Sequence, residues 1–286
     1  MVGRSVSWSA PDPYPAPGTL PVLMYHSIST LGGGSLRDLA VPPTRLAEQL
    51  DVLAGAGYRL VGLTEALDLL DSGVRTDPLV ALTFDDGYAN FLDAAIPVLA
   101  ETGASATLYP AVGHLGGPAQ WLGPWAGAFG PLLDWSQLTE VAAAGVEIGN
   151  HGLLHHPLDV LPPAQLRNEI MTSRDRLEQA LGRPIRSFCY PHGYHDRLVR
   201  TQVRQAGHDN ACEVGRQLYT PAGIGRDDRR RLAVPRLQPT PGHSGSDLLE
   251  LVSTGGPCLV PRAKRLAQPA WRVVRRLARR AGRQVT

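Results

Sequence analysis

The chain has 286 residues, of which 43% are hydrophobic and 19% are charged. This balance is typical of a globular protein with enough apolar material for a core. No apolar run approaches the roughly 20 residues of a membrane-spanning helix, and three cysteines without metal-like spacing argue against a disulfide framework. The net charge is +2, but residues 261–286 contain nine Lys or Arg and no acidic residue. The basic character therefore belongs to the C-terminal segment.

Composition divides the chain into three regions. Residues 1–19 are rich in proline and predict a loose segment without the apolar stretch of a secretory signal. Residues 20–245 are expected to form the main domain, and residues 246–286 a basic tail. Because a signal is absent and no disulfides are expected, we predict a cytoplasmic protein.

Predicted strands and helices alternate through the main domain. Short apolar runs with β-branched residues predict strands, and apolar residues at helical spacing predict helices. In chain order we expect strand Pro21–Tyr25, helix Pro43–Gly55, strand Tyr58–Val61, helix Thr64–Leu70, strand Leu79–Phe84, a helix through Ala94 and Leu99, strand Ala104–Tyr109, helix Trp135–Ala144, strand Val146–Ile148, helix Pro163–Leu181, strand Ser187–Tyr190, helix Asp196–Ala206 and strand Asn210–Val214. This alternation predicts an α/β fold with a parallel sheet, open or closed.

Polar side chains follow several of these strands at their carboxyl ends. Asp85 and Asp86 follow one strand, His151 and His155 another, and His26 follows the first strand. In α/β folds this edge carries the active site, because the loops there are free to vary.

The two adjacent carboxylates suggest a cation. Asp85 and Asp86 repel each other unless a cation or protons compensate their charge. With a divalent cation present, one carboxylate can be a ligand while the other stays free as a base. The alternative is an ordinary turn built on Asp-Gly.

The two histidines suggest which cation would be bound. On a helical turn, a spacing of four residues places His151 and His155 on one face, where they can share a metal. Together with Asp86 they form the two-histidine, one-carboxylate set that is common for zinc, which is therefore the predicted metal. His156 is an alternative ligand, but helical phasing favours His155.

Three motifs together resemble a known family. Thr83–Gly87 (TFDDG), His151–His155 (HGLLH) and Phe188–Gly193 (FCYPHG) are similar to the motifs of the polysaccharide deacetylases, which are carbohydrate esterase family 4 and contain the NodB homology domain. The resemblance covers roughly residues 20–240. It implies a distorted (β/α) barrel with fewer than eight repeats.

The resemblance also implies roles for individual residues. Asp86, His151 and His155 would bind one divalent metal ion, and Asp85 would be the catalytic base. The backbone N–H of His192 would share the developing oxyanion with the metal.

Other candidates come from the same motif and from departures from the family pattern. Tyr190 and Pro191 are candidate substrate contacts. Cys189 stands where the family often has an arginine, so Arg236 is a candidate to orient the base, with a structural salt bridge as the alternative. The family's late Leu-x-His motif is not evident, and His26 is a candidate acid or substrate contact, with a core histidine as the alternative.

Two further segments have aromatic or basic patterns. Trp121 and Trp125 lie in a Gly/Pro-rich insert and are candidate sugar-stacking residues, although packing of the insert on the barrel is the alternative. In the tail, Trp271, Val274 and Leu277 form one helical stripe among arginines. This pattern predicts an amphipathic helix that contacts an anionic membrane; the alternative is a docked or solubilising tail.

These observations predict a metal-dependent hydrolase that removes N-acetyl groups from an N-acetylated sugar or glycan intermediate. An O-acetyl ester hydrolase and a catalytically impaired sugar-binding module are the alternatives. Phosphoryl transfer is disfavoured because no Gly-rich phosphate loop is present, and no nucleic-acid partner is expected.

Overall fold

The computed structural model describes residues 14–16, 18–73, 78–221, 229–256 and Trp271. Nine strands and seven α-helices lie in this part of the chain. In chain order they are β1 (Val22–Tyr25), β2 (Ser27–Ile28), β3 (Ala40–Val41), α1 (Pro43–Gly55), β4 (Arg59–Val61), α2 (Leu63–Asp71), β5 (Leu79–Asp86), α3 (Ile96–Thr102), β6 (Thr107–Pro110), α4 (Trp135–Ala143), β7 (Glu147–Ile148), α5 (Pro163–Leu181), β8 (Ser187–Cys189), α6 (Arg197–Gln205), β9 (Asn210–Cys212) and α7 (Gly245–Thr254).

All strand pairs in the described residues are parallel. The main sheet has the order β1-β5-β6-β7, with β4 paired to the beginning of β5, and β8 pairs with β9. Isolated parallel bridges join Asn150 to Phe188, Cys212 to Val234 and Leu237 to Leu23. Through these bridges the pairing continues from β7 to β8, β9 and residues 234–237 and then back to β1, in agreement with the predicted distorted (β/α) barrel.

Strand β5 is the centre of this arrangement. Its eight residues are all buried, because it has strands on both sides and helices over the sheet. The apolar run at its start fills the core, and its last two residues, Asp85 and Asp86, carry carboxylates to the edge where active sites form.

The helices cover the outside of the sheet at the predicted places. Prolines at the first turn begin both α1 and α5, since proline lacks the N–H that would be unpaired there. The helix expected through Ala94 and Leu99 begins with one π-helical turn, Phe91–Ala95, before α3. Each predicted helix of the main domain is therefore confirmed, with shifts of a few residues at its ends.

The segment assigned to the tail begins with a helix that packs on the main domain. Helix α7 starts with a capping box at Ser244 and lies against α1. Its residues Leu248 and Val252 are completely buried. The predicted amphipathic helix around Trp271 falls almost entirely outside the described residues, and no described helix is long and apolar enough to cross a membrane.

Residues 111–134, between β6 and α4, are here called the insert. Its backbone is bonded to the turn after β5, because Leu133 N–H donates to the Gly87 carbonyl at 2.8 Å and Ala89 N–H donates to Pro131 at 2.9 Å. The insert has its own hydrophobic cluster, which contains Ala40, Tyr88, Ala111, Ala119, Trp121, Phe129 and Leu132. The insert is therefore held directly beside the end of β5.

Candidate active site and metal centre

The chain turns sharply at the end of β5. Asp86 has a left-handed backbone with a φ of 73°, and Gly87 follows with a φ of 82°. A Cβ at Gly87 would lie 3.0 Å from Pro110, so only glycine fits this close approach. A left-handed aspartate is a strained conformation that clusters at functional sites. The sharp turn places the two carboxylates at one end of the barrel.

Asp86, His151 and His155 come together as the predicted ligand set. The Asp86 Oδ1 atom lies 3.5 Å from His151 Nε2 and 3.4 Å from His155 Nε2, and all three residues are at least 95% buried. Tetrahedral ligands at ~2.0–2.1 Å from zinc stand about 3.3 Å from one another. The spacing and chemistry of these donors therefore fit a small divalent cation.

The histidine motif reaches this geometry without a helix. Residues 151–157 form a loop in which Gly152 has a φ of 79° and His155 a φ of 56°. The expected helical turn was therefore wrong. The loop is held by the buried Glu169 carboxylate, which accepts the N–H groups of Leu153 and Leu154 at 3.0 and 2.9 Å. A carboxylate thus replaces the hydrogen bonds that a helix would have provided.

The same carboxylate binds His156. The Nδ1 atom of His156 lies 2.8 Å from Glu169 Oε1. His156 is absent from the buried donor group that contains Asp86, His151 and His155. The left-handed backbone at His155 is the physical reason, because it separates two neighbouring side chains onto different partners.

The electrostatics of Asp86 suit a ligand. Burial opposes its ionisation, but hydrogen bonds with His151 and His155 outweigh burial and hold the pKa of Asp86 well below its usual value. The Tyr88 hydroxyl lies beside the same carboxylate. Burial and the Asp86 charge together raise the pKa of Tyr88, so its hydroxyl stays protonated.

Asp85 is paired with Arg236, which comes from the segment after β9. The guanidinium donates two hydrogen bonds to the carboxylate, at 2.6 and 2.7 Å, and Arg236 is completely buried. Burial opposes ionisation of Asp85, but the charge and hydrogen bonds of Arg236 hold the pKa of Asp85 below its usual value. Asp85 is therefore an ionised carboxylate with fixed orientation.

Cys189 leaves room for this arginine. Its Sγ atom lies 3.2 Å from Arg236 Nη2 and 3.5 Å from Asp85 Oδ2. Burial raises the pKa of Cys189 well above its usual value, so the group is a neutral thiol. Where the resemblance implied an arginine at position 189, a small side chain stands there and the guanidinium enters from Arg236.

His26 and His192 lie on the same cavity as the two carboxylates. His26 Nε2 is 4.0 Å from Asp85 Oδ2, and its side chain is 15% exposed. His192 is in the short turn Pro191–Gly193, has a φ of 58°, and places its ring 4.5 Å from the His155 ring. Burial and the neighbouring His155 hold the pKa of His192 well below its usual value, so its ring is neutral.

The cavity that contains these groups has a volume of about 150 Å³. Its floor is polar, with both aspartates and the histidines, while Leu39, Leu122 and Val214 contribute apolar walls. This combination suits a small polar group on a larger ligand with apolar faces.

Comparison with known proteins points to one family. The polysaccharide deacetylase family matches residues 72–211. A Bacillus subtilis (strain 168) protein with the name "Putative polysaccharide deacetylase YxkH" is 29% identical over 234 residues, which are 80% of this chain and 75% of that protein. Over these residues the chain is similar to the polysaccharide deacetylase family, and the match supports a carbohydrate deacetylase and hence a hydrolase.

Solved structures show the same fold as this protein. The Streptococcus pyogenes deacetylase PplD, in complex with acetate, has a TM-score of 0.70 at 23% identity and covers 85% of this chain and 100% of its own. IcaB from Ammonifex degensii has a TM-score of 0.68 at 25% identity and covers 84% of this chain and 100% of its own. The NodB-like fold is therefore shared along most of the described chain.

The predicted substrate contacts of the protein have different surroundings. Trp121 lines the cavity but is only 8% exposed, whereas Trp125 is 63% exposed and is absent from the cavity wall. Tyr190 is fully buried and its hydroxyl donates to the Leu232 carbonyl at 2.8 Å. Pro191 is also buried. Tyr190 nevertheless lines the cavity, so its contact with substrate stays a prediction, as does that of Pro191.

Sequence reasoning missed three groups of the site. Tyr88 directly follows the TFDDG motif, and its aromatic ring beside the motif was a signal that could have been used. Glu169 lies inside an amphipathic helix, where a buried carboxylate has no local signature. The apolar walls Leu39, Leu122 and Val214 come from three loops, and no sequence pattern connects them.

Proposed function

We propose that this protein is a metal-dependent hydrolase that removes the N-acetyl group from an N-acetylated sugar or glycan intermediate. Asp86, His151 and His155 hold one divalent cation, zinc by its donor set, and Asp85 is the base. The observation that carries the proposal is the pairing of Asp85 with Arg236 at 2.6 and 2.7 Å. This pairing keeps Asp85 ionised beside the Asp86, His151 and His155 donors, where the carboxylate can accept a proton.

Several residues of the site have separate roles in the proposed reaction. A divalent cation held by Asp86, His151 and His155 would supply Lewis-acid chemistry at the acetyl carbonyl. Asp85 accepts a proton from the water whose oxygen attacks the carbonyl carbon, and Arg236 keeps that carboxylate in one orientation. The backbone N–H of His192 donates to the carbonyl oxygen as it becomes negative. Cleavage of the C–N bond then needs a proton on the leaving nitrogen.

His26 is the donor of that proton in this proposal. It lines the cavity and its Nε2 lies 4.0 Å from Asp85 Oδ2, on the side of the base. An amine is a poor leaving group without protonation, whereas an alkoxide from an ester depends on it less. A histidine in this position therefore favours the N-acetyl substrate over the O-acetyl alternative.

The cavity and the relatives support an acetylated carbohydrate as substrate. A volume of about 150 Å³ accommodates an acetyl group while the sugar stays at the mouth. The apolar walls suit the C–H faces of a pyranose. The PplD structure contains acetate, which is the product that this reaction releases. A cytoplasmic location and membrane contact by the tail stay predictions.

The direct test measures acetate release from N-acetylglucosamine oligomers together with metal content. We expect Asp85→Asn to lose activity and keep its metal, and His151→Ala to lose both. The same preparations are assayed on O-acetylated xylan to compare the rates of ester and amide hydrolysis. Full activity of Asp85→Asn would overturn the base assignment, and faster ester than amide hydrolysis by the wild type would favour the alternative substrate.

A further inference from the structure

The two histidines of the donor group differ in what holds their rings. His151 is oriented by a hydrogen bond, since its Nδ1–H donates to the Cys189 carbonyl at 2.9 Å. His155 Nδ1 is buried and meets no hydrogen-bond partner in the part of the chain that the structure describes. Metal-binding histidines almost always use the second nitrogen in such a bond, which fixes the direction of the ring. His155 therefore needs another means of orientation.

An aromatic ring supplies the orientation of the His155 imidazole. The indole of Trp121 stacks on the His155 imidazole with 4.2 Å between ring centroids and an angle of 24° between the planes. The rings of His151 and His192 meet His155 nearly at right angles, at 4.8 and 4.5 Å. The imidazole is thus confined by three rings, of which Trp121 alone is parallel to it.

Trp121 is itself rigidly placed. It lies in the segment Gln120–Trp125, where Leu122 N–H donates to the Ala119 carbonyl at 2.9 Å and closes a turn around Trp121. The His114 ring packs edge-on against its indole at 5.3 Å. Trp121 packs in the hydrophobic cluster of the insert and is only 8% exposed. The position of the insert therefore determines the position of the stack.

These contacts argue against the sugar-stacking role for Trp121. A platform for a pyranose needs an open aromatic face, but one face of Trp121 is occupied by His155 and little of the rest is exposed. A cation on His155 withdraws electrons from the imidazole, and the electron-rich indole face then attracts that ring more strongly. Stacking is therefore strongest when the metal is bound.

We propose that Trp121 is a positioning residue for the metal site, which holds His155 in the ligating orientation by stacking in place of a hydrogen bond. The proposal rests on the proposed function only in its assumption that Asp86, His151 and His155 bind a divalent cation. It assigns to the insert the role of completing the metal site.

The test compares the zinc dissociation constants of Trp121→Leu, Trp121→Phe and the wild type by competition with a chromophoric chelator. We expect Trp121→Leu to bind zinc about 10-fold or more weakly, as loss of an orienting partner does in other metal sites. Trp121→Phe keeps an aromatic face and should stay within about threefold of the wild type. Trp125→Leu changes an exposed tryptophan of the same segment and should leave the constant unchanged.

Thermal unfolding of the metal-free proteins separates positioning from folding, because a variant that is folded at the assay temperature reports affinity alone. If Trp121→Leu does not fold, Trp121→Met takes its place. Unchanged zinc affinity in the folded aliphatic variant would overturn the proposal. If Trp121→Phe and Trp121→Leu weakened zinc binding equally, stacking would not be the cause of the orientation. Absence of zinc binding by the wild type would instead refute the proposed function.

Discussion

The Arg236 guanidinium holds the Asp85 carboxylate in a two-point hydrogen bond, although 151 residues separate the two in sequence. Both side chains are at least 96% buried, so water cannot replace either partner. A buried charge that loses its partner is strongly destabilised. The pair therefore determines both the charge and the direction of the proposed base.

Replacement of Arg236 by lysine tests this relationship. Lysine keeps the charge but cannot form the planar two-point contact, so Asp85 loses its orientation. We expect Arg236→Lys to lower kcat by about 100-fold, since a misplacement of about 1 Å has this effect, while the zinc content stays unchanged. Arg186→Lys is the matched control, because Arg186 pairs with Asp68 and Asp209 at the surface. Full activity of Arg236→Lys would refute the orienting role.

The role of His26 is tested through the leaving group. We expect His26→Gln to lower kcat on N-acetylglucosamine oligomers by about 10²–10⁴-fold, the contribution of a general acid. An activated aryl acetate has a leaving group that needs no proton, so its hydrolysis should fall much less. Equal losses on both substrates would show that His26 binds substrate or supports the fold instead. Zinc content is measured in parallel and should stay unchanged.

The loop after β7 gives a pair of contrasting variants. His156→Ala should keep its zinc affinity, because His156 contacts Glu169 and lies outside the donor group. Glu169→Ala leaves the N–H groups of Leu153 and Leu154 without their acceptor, and the buried N–H of Leu153 costs about 1–3 kcal/mol when it is unpaired. We expect its zinc affinity to fall about 10-fold. Zinc competition assays on both variants check the result, and loss of zinc by His156→Ala would restore His156 as a ligand.

Acid sensitivity of the fold is expected to depend on His208. Burial, with a smaller effect of the Arg174 charge, lowers the pKa of His208 to about 3 in the folded state. Its Nδ1–H donates to the Ile185 carbonyl at 3.0 Å, and its Nε2 lies 3.3 Å from the Asn150 amide, which fits the neutral form.

The unfolded chain binds a proton at His208 below pH ~6.5, whereas the folded protein does so only near pH 3. Stability contributed by the neutral ring is therefore complete above pH ~6.5 and falls by up to about 1.4 kcal/mol per pH unit below it. We expect His208→Gln to reduce the stability difference between pH 7.5 and pH 4.5 in urea unfolding of the zinc-free protein. An unchanged difference would contradict this assignment.

Much of the fold was predictable because its signals are local. Helix α5 was predicted at Pro163–Leu181 and observed there, since a proline at its start and apolar spacing along it depend on near neighbours. Strand β5 was predicted from one buried apolar run, and its two terminal aspartates were placed at the active edge by the rule for parallel sheets.

The His151–His155 spacing shows where local reasoning failed. Four-residue spacing predicted a shared helical face, but the segment is a loop with a left-handed His155. The histidines nevertheless converge on Asp86, because barrel closure and the distant Glu169 carboxylate set the path of the loop. The residues that converge were thus named for a geometry that the chain does not adopt.

For the donor group named at the outset, the sequence alone predicted which side chains would carry the chemistry: Asp86, His151 and His155, with Asp85 beside them. Residue type and motif spacing are enough for that, because they follow from the chemistry of ligands and bases. Tertiary structure decided what surrounds them, namely Arg236 on Asp85 and Trp121 on His155. Such contacts join segments 34 to 151 residues apart, and only closure of the barrel and packing of the insert bring those segments together.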